Sequence, residues 1–223
     1  MPIQDREAAA YGLIEIRGRK VGNASRKGEI LEVLGLPEDV HYRVRWEDGH
    51  ESVFYPGGDT RVRTTAAIAA EPGVAEVVDV LRGWRVEFDV LPHRRTTSAE
   101  AEADVLGILP QATAKTVVAR LDGQCVRAVI PASTRLSLTK LGDTLGGHPQ
   151  LLTETELDGA YPTFELGAVP PFGGPAGDRV VIDRSLLEFD YVVLEAGSHD
   201  ASVRIGAHDL VSVTNALVAD IAV

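Results

Sequence analysis

"AKTVVARLDGQCVRAVIPA", residues 114–132, decides how this chain folds. Two runs rich in valine flank Asp122-Gly123, a pair that turns a chain tightly because glycine tolerates positive φ at little cost. The stretch therefore reads as strand, two-residue turn, strand. One residue sits oddly in it. Lys115 stands at the entrance to the first apolar run, and lysine is rarely buried without a partner or a task. It either snorkels to solvent or points into a cleft, where its charge can bind phosphate or polarise an ester.

Local signals around the hairpin extend the pattern. Upstream, Val74, Val77, Val78 and Leu81 share a helix face, with Gly83 expected to end that helix, and "WRVEFDVLP" (84–92) alternates like a strand. Ser98 is placed to cap a helix over "AEAEADVL", with Glu100 and Glu102 in its first turn, where the helix dipole favours anions. Downstream, "LSLTKLGDTLGG" and "TETELDGAYP" read as short helices, the second with Thr153 and Glu156 in capping-box spacing. "RVVIDRSLLEFDYVVLEAGS" reads as two strands around a turn or short helix. "GAHDLVSVTNA" reads as a last helix, and "VADIAV" as a segment that closes the sheet. Strands and helices mix without regular βαβ alternation, which predicts an α+β domain on a mixed sheet over residues 74–223.

The first 65 residues have another character. "YGLIEIRG" and "GEILEVLG" alternate as half-buried strands, and "YRVRWEDGHESVFYPGG" reads as a hairpin turning at Asp48-Gly49. Tyr42, Val44 and Trp46 fall on one side, with Val53 and Tyr55 assigned to the partner strand. Short strands with tight turns predict a small all-β barrel over residues 1–65. This part carries 10 Lys+Arg against 11 Asp+Glu, whereas the rest carries 12 against 22. Residues 66–73, small and ending in Pro72-Gly73, are expected to be a linker or a frayed helix.

The net charge of −11 argues against coating long nucleic acid, DNA included, but leaves room for a pocket that holds one end of one RNA. No apolar run is long enough to span a membrane. A single cysteine, Cys125, cannot form an internal disulfide, and a reducing cytosol is the simplest setting. Cys125 lies within a strand and reads as core rather than nucleophile. CxxC, HExxH, GxGxxG and P-loop patterns are all absent, so neither a metal nor a cofactor is expected.

Besides Lys115, two stretches hold candidate chemistry. "ELGAVPPFGG" (165–174) is either a surface turn or a rigid loop whose backbone shapes a pocket. "LEAGSHDAS" (194–202) ends a strand in Gly197-Ser198-His199, where His199 can serve as general base or hydrogen-bond donor. "PHRRTTS" (92–98) is basic and hydroxyl-rich; it suits either phosphate or solvent.

Taken in order, "LPHRRTTSAEAEADVLGI", "AKTVVARLDGQCVRAVIPAS", "LSLTKLGDTLGG", "FELGAVPPFGG", "VVIDRSLLE" and "AGSHDASVRIGAHDL" resemble the YbaK/prolyl-tRNA synthetase-associated editing domain over residues 86–223. "RKGEILEV", "YRVRWEDGHES" and "FYPGGD" resemble a small SH3-like barrel of undefined function common in actinobacteria. The first resemblance implies an aminoacyl-tRNA deacylase, the second sieve of double-sieve editing, acting on the 3′ end of a mischarged tRNA. It puts the functional lysine on Lys115, the GxxxP loop on Gly167–Pro171, and the strand-end loop on Gly197, Ser198 and His199. Lys115, Gly167, Pro171 and His199 are then the catalytic candidates. Ala168, Val169, Pro170, Gly197, Ser198, Thr116 and His93 are the substrate-binding candidates. The strand-end loop reads Gly-Ser-His here, where several YbaK-type members carry basic residues, and it is nearer the stand-alone prolyl-editing branch. The substrate suggested first is alanine or cysteine on tRNA(Pro), removed by a positioned water. A synthetase is a second partner, and a non-catalytic aminoacyl-tRNA or adenylate-binding module is the rival reading. Arg17, Arg19, Lys20, Arg26 and Lys27 cluster in the barrel, as ordinary surface or as a contact for tRNA or synthetase.

Overall fold

The computed structural model describes residues 12–16, 25–35 and 39–223. The chain forms two compact units. One runs to Glu71 and takes in Leu91–Arg95; the other comprises Pro72–Val90 and Thr96–Val223.

In the first unit, β1 (Gly12–Ile16), β2 (Arg26–Leu34), β3 (His41–Trp46), β4 (Glu51–Phe54) and β5 (Thr60–Thr64) form an antiparallel sheet in the order β4-β3-β2-β1-β5. Alternation places Ile14, Ile30, Val44 and Trp46 in one core. The partner strand contributes Phe54 to that core, while Val53 and Tyr55 face outward at 51% and 62% exposure. Of the basic cluster, Arg26 lies 3.9 Å over the Trp46 ring, while Arg17, Arg19 and Lys20 lie outside the described residues. The expected linker is helical. Thr64 caps α1 (Thr65–Ala69), whose Ile68 is fully buried, and α2 (Pro72–Trp84) starts on a proline, which fits a first helical turn. Helix α2 runs through Gly83 and stops where Arg85 adopts φ 57°, so Gly83 is not its end.

The second unit is built on a mixed sheet. Its strands are β6 (Phe88–Pro92), β7 (Thr113–Leu121), β8 (Gln124–Pro131), β9 (Gln150–Leu151), β10 (Arg179–Asp183), β11 (Tyr191–Ser198), β12 (Ala201–Gly206) and β13 (Leu217–Ala219). Their order is β13-β10-β8-β7-β11-β12-β6, with β9 beside β7. The β7–β8 hairpin is central and antiparallel, turning through Asp122 (φ 51°) and Gly123 (φ 83°); β10 on one side and β11 on the other join it in parallel. Its register sets Lys115 against Ile130 and Val118 against Arg127. Lys115 and Arg127 therefore project from opposite faces of one hairpin. The helices are α3 (Ala99–Leu106), α4 (Leu138–Leu145), α5 (Glu154–Ala160) and α6 (Ala207–Thr214), with a 3₁₀ turn at Arg184–Glu188. Ser98 caps α3, and Thr153 with Glu156 forms the capping box of α5.

Two glycines fix how α2 meets β11. A Cβ on Gly73 would lie 2.9 Å from the Gly197 carbonyl, and one on Gly197 would lie 2.6 Å from Phe164. Gly197 also has φ 84°, which side chains rarely adopt. At Gly197 the β11–β12 register shifts between Glu195 and Ser198, a bulge that re-aims the strand end just before His199.

Candidate active site

A cavity of about 870 Å³ opens where β7 begins. Lys115, Thr116, Gly167 and His199 all line it, so the central hairpin, the Gly/Pro loop and the strand-end turn converge there. The remaining wall includes Ser98 and Glu100 at the head of α3, Thr134 and Arg135 after β8, and Leu157 of α5.

Lys115 is half-buried, and its Nζ donates to the Ala132 carbonyl at 2.9 Å. Burial pulls its pKa below the usual lysine value and neighbouring Arg135 pulls the same way, while Glu100 opposes them. The entrance lysine is thus a tethered cation on a cavity wall.

His199 is fixed at four points. Nδ1 meets Glu195 Oε1 at 2.8 Å and Nε2 meets the Leu166 carbonyl at 2.8 Å. Its backbone N–H donates to Glu165 Oε2 at 2.8 Å, and its carbonyl accepts from the Thr96 N–H at 2.9 Å. A carbonyl oxygen only accepts, and so does an ionised carboxylate. Both partners are acceptors, so the geometry favours the imidazolium form of His199, in which both ring nitrogens donate. The Glu195 bond raises its pKa, aided by the Leu166 carbonyl and by Glu165, against the cost of burial. In that form the ring has no lone pair for a general base, and both of its donors are engaged within the protein, by Glu195 and by the Leu166 carbonyl.

The imidazolium form is lost as pH rises through this raised pKa, and one of the two ring bonds goes with it. Glu195→Gln removes the charge that supports it. The His199 titration, followed by NMR of the ring Cε1–H, is expected to move to lower pH in that variant; an unmoved midpoint would refute the double-donor arrangement.

Other candidates lie elsewhere. Ala168, Val169, Pro170 and Pro171 are buried and do not line the cavity; only Gly167 of the GxxxP loop reaches it. Two prolines and two small apolar residues pack inward here, whereas the sequence suggested a pocket wall. Gly197 and Ser198 are also buried: Gly197 makes the bulge, and the Ser198 hydroxyl donates to Asp200 at 2.6 Å. His93 is fully buried, with Nδ1 2.9 Å from the Arg94 carbonyl, and is not on the cavity wall. Glu195 and Glu165 escaped the sequence reading because a bulge and a loop bring them to His199.

Glu102 was expected to serve the α3 dipole as a first-turn anion. Instead it is fully buried, and the Ser202 hydroxyl bonds its Oε1. Its Oε2 has no hydrogen-bond partner among the described residues. Burial pushes its pKa up to about 8, so it is largely neutral at pH 7.

No group of three or more metal-ligating side chains occurs among the described residues, and no helix among them is long and apolar enough to cross a membrane.

A tethered lysine, a glycine turn and a bonded histidine thus surround one cavity of an α+β domain built on a mixed sheet. The chain belongs to the aminoacyl-tRNA editing domain family, which matches residues 93–213. Residues 8–62 match a domain of unknown function, DUF1918. The chain is 30% identical over 123 residues to the multifunctional Ser/Thr-tRNA deacylase ProXp-y of Escherichia coli K12, covering 52% of this chain and 73% of that protein. Among solved structures, the hypothetical protein APE2540 matches with TM-score 0.63 and 25% identity, over 66% of this chain and 99% of that one. A proposed trans-editing enzyme for prolyl tRNA synthetase matches with TM-score 0.61 and 25% identity, over 67% and 96%.

Proposed function

We propose that this protein is a trans-editing aminoacyl-tRNA deacylase. Water attacks the ester carbonyl that joins a mischarged small amino acid to the terminal adenosine of tRNA. The C–O bond breaks, and the products are free amino acid and an intact 3′ end. The observation that carries the reading is the meeting of Lys115, Thr116, Gly167 and His199 at one cavity in a chain of this family. Lys115 supplies a positive charge for the terminal phosphate or the developing oxyanion, and the Gly167 turn and the His199 donor set the geometry. No side chain there is activated as a covalent nucleophile, so direct attack by water is the simpler course. The ribose 2′-OH is the proton carrier.

Alanine or cysteine on tRNA(Pro) is the first substrate assignment. Serine or threonine is the second, supported by the hydroxyls of Thr97, Ser98, Ser133 and Thr134 around the cavity and by the relative named for Ser/Thr-tRNA. One methyl changes discrimination by only about 1–3 kcal/mol, so the panel must be broad. Initial rates on Ala- and Cys-tRNA(Pro) and on Ser- and Thr-charged noncognate tRNAs are expected to single out one of these pairs. Binding without turnover of any member would instead establish the regulatory-module reading. A synthetase is the second partner we propose, in the cytoplasm, tested by pull-down with the full chain.

A further inference from the structure

Behind Gly167 the chain continues as a buried strap, and one side chain holds it from beneath. Arg127 on β8 is 2% exposed. Its Nη1 donates to the Pro170 carbonyl at 2.9 Å and its Nη2 to the Gly173 carbonyl at 2.7 Å. Its Nε donates to Asp178 Oδ2 at 2.7 Å, which also accepts from the Tyr161 hydroxyl at 2.7 Å. The guanidinium lies 4.7 Å from the centre of the Tyr161 ring. Further along the strap, Glu76 accepts from the Gly174 N–H.

A buried guanidinium is a costly way to gain stability, since an apolar side chain of similar volume is often neutral or better. What the planar fork adds is geometry, because it fixes two carbonyls relative to each other. Those carbonyls lie three and six residues beyond Gly167, and the preceding carbonyl, Leu166, is held by His199. The strap is therefore fastened on both sides of the glycine that meets the cavity. A hollow of about 210 Å³ lies behind it, lined in part by Arg127, Pro171, Phe172 and Asp178.

We infer that Arg127 is a positioning residue for deacylation: acting through Pro170 and Gly173, it sets the Gly167 turn against Lys115 and His199. This rests on the deacylase reading above. The test compares Arg127→Met, which keeps the bulk but not the fork, with Asp178→Asn, which leaves Arg127 in place but weakens its anchor. Each is assayed for kcat and KM, for fold by circular dichroism, and for amide hydrogen exchange over residues 166–174. The expected result is a folded Arg127→Met protein with kcat lowered at least tenfold, KM within about twofold and faster exchange in the strap. Asp178→Asn is expected to change in the same direction to a smaller extent. Wild-type kcat and exchange in folded Arg127→Met would overturn the assignment; if that variant does not fold, the same result in Asp178→Asn would do so. If wild type turns over no mischarged tRNA, the deacylase reading fails, and exchange alone then decides whether Arg127 holds the strap.

Discussion

Lys115→Ala is expected to lower kcat/KM for deacylation by about 10²–10³-fold, the usual loss when one preorganised donor to a developing oxyanion is removed. The fold should survive. The substitution deletes one bond to the Ala132 carbonyl, but it also relieves the desolvation of a half-buried ammonium, so the two changes oppose each other. Kinetics can separate the lysine's two possible tasks. If it grips the terminal phosphate, KM rises and the salt dependence of binding becomes shallower by about one phosphate contact. If it serves the oxyanion, kcat falls and KM stays put. Lys115→Arg keeps the charge but replaces a compact ammonium with a planar fork, so it should rescue phosphate binding better than turnover. A folded Lys115→Ala protein with wild-type kcat/KM would remove the lysine from the mechanism.

The second large effect is on stability. Glu102 holds its proton to about pH 8 in the folded protein, whereas an unfolded chain gives it up near the ordinary glutamate value of 4.5. The folded state therefore binds more protons between those values, and this group's contribution is lost as pH rises from the lower to the higher. The slope is at most about 1.4 kcal/mol per pH unit, so the total reaches several kcal/mol. Glu102→Gln cannot ionise and can still accept from Ser202. Thermal unfolding from pH 5 to pH 8 should show wild type losing stability with a clearly steeper slope than the variant. His199 titrates with the same sign and is present in both, so the difference in slope reports on Glu102 together with its charge coupling to His199. Parallel curves would show that Glu102 is already ionised.

Local chemistry made much of the architecture legible. The Asp122-Gly123 turn, the Ser98 cap and the Thr153/Glu156 capping box are interactions within a few residues, and the structure contains each of them. Non-local packing was not legible. Strand β12 went unread because "ASVRIG" carries Arg204 and offers no long apolar run; pairing with β11 makes it a strand. Glu102 has the same local signature as an exposed first-turn acid, and only the partner across the sheet, Ser202, tells them apart. Lys115, Thr116, Gly167 and His199, singled out in the sequence, line the cavity, whereas Pro171 and its neighbours, singled out with them, are buried and do not. Arg127 drew no notice in the sequence, because one arginine in a strand gives no sign of the carbonyls it will meet.

The glycine pair at 73 and 197 bears on how this scaffold could be given new specificity. Leu157 and Leu166 on the cavity wall belong to a short exposed helix and a turn, so a mutational library has room to vary them. Position 197 offers no such latitude, because any side chain there must displace Phe164 and the backbone at Gly73. Diversification would then succeed on the wall formed by α5 and the turn before Gly167, and would be silent or lethal at the junction that aims His199.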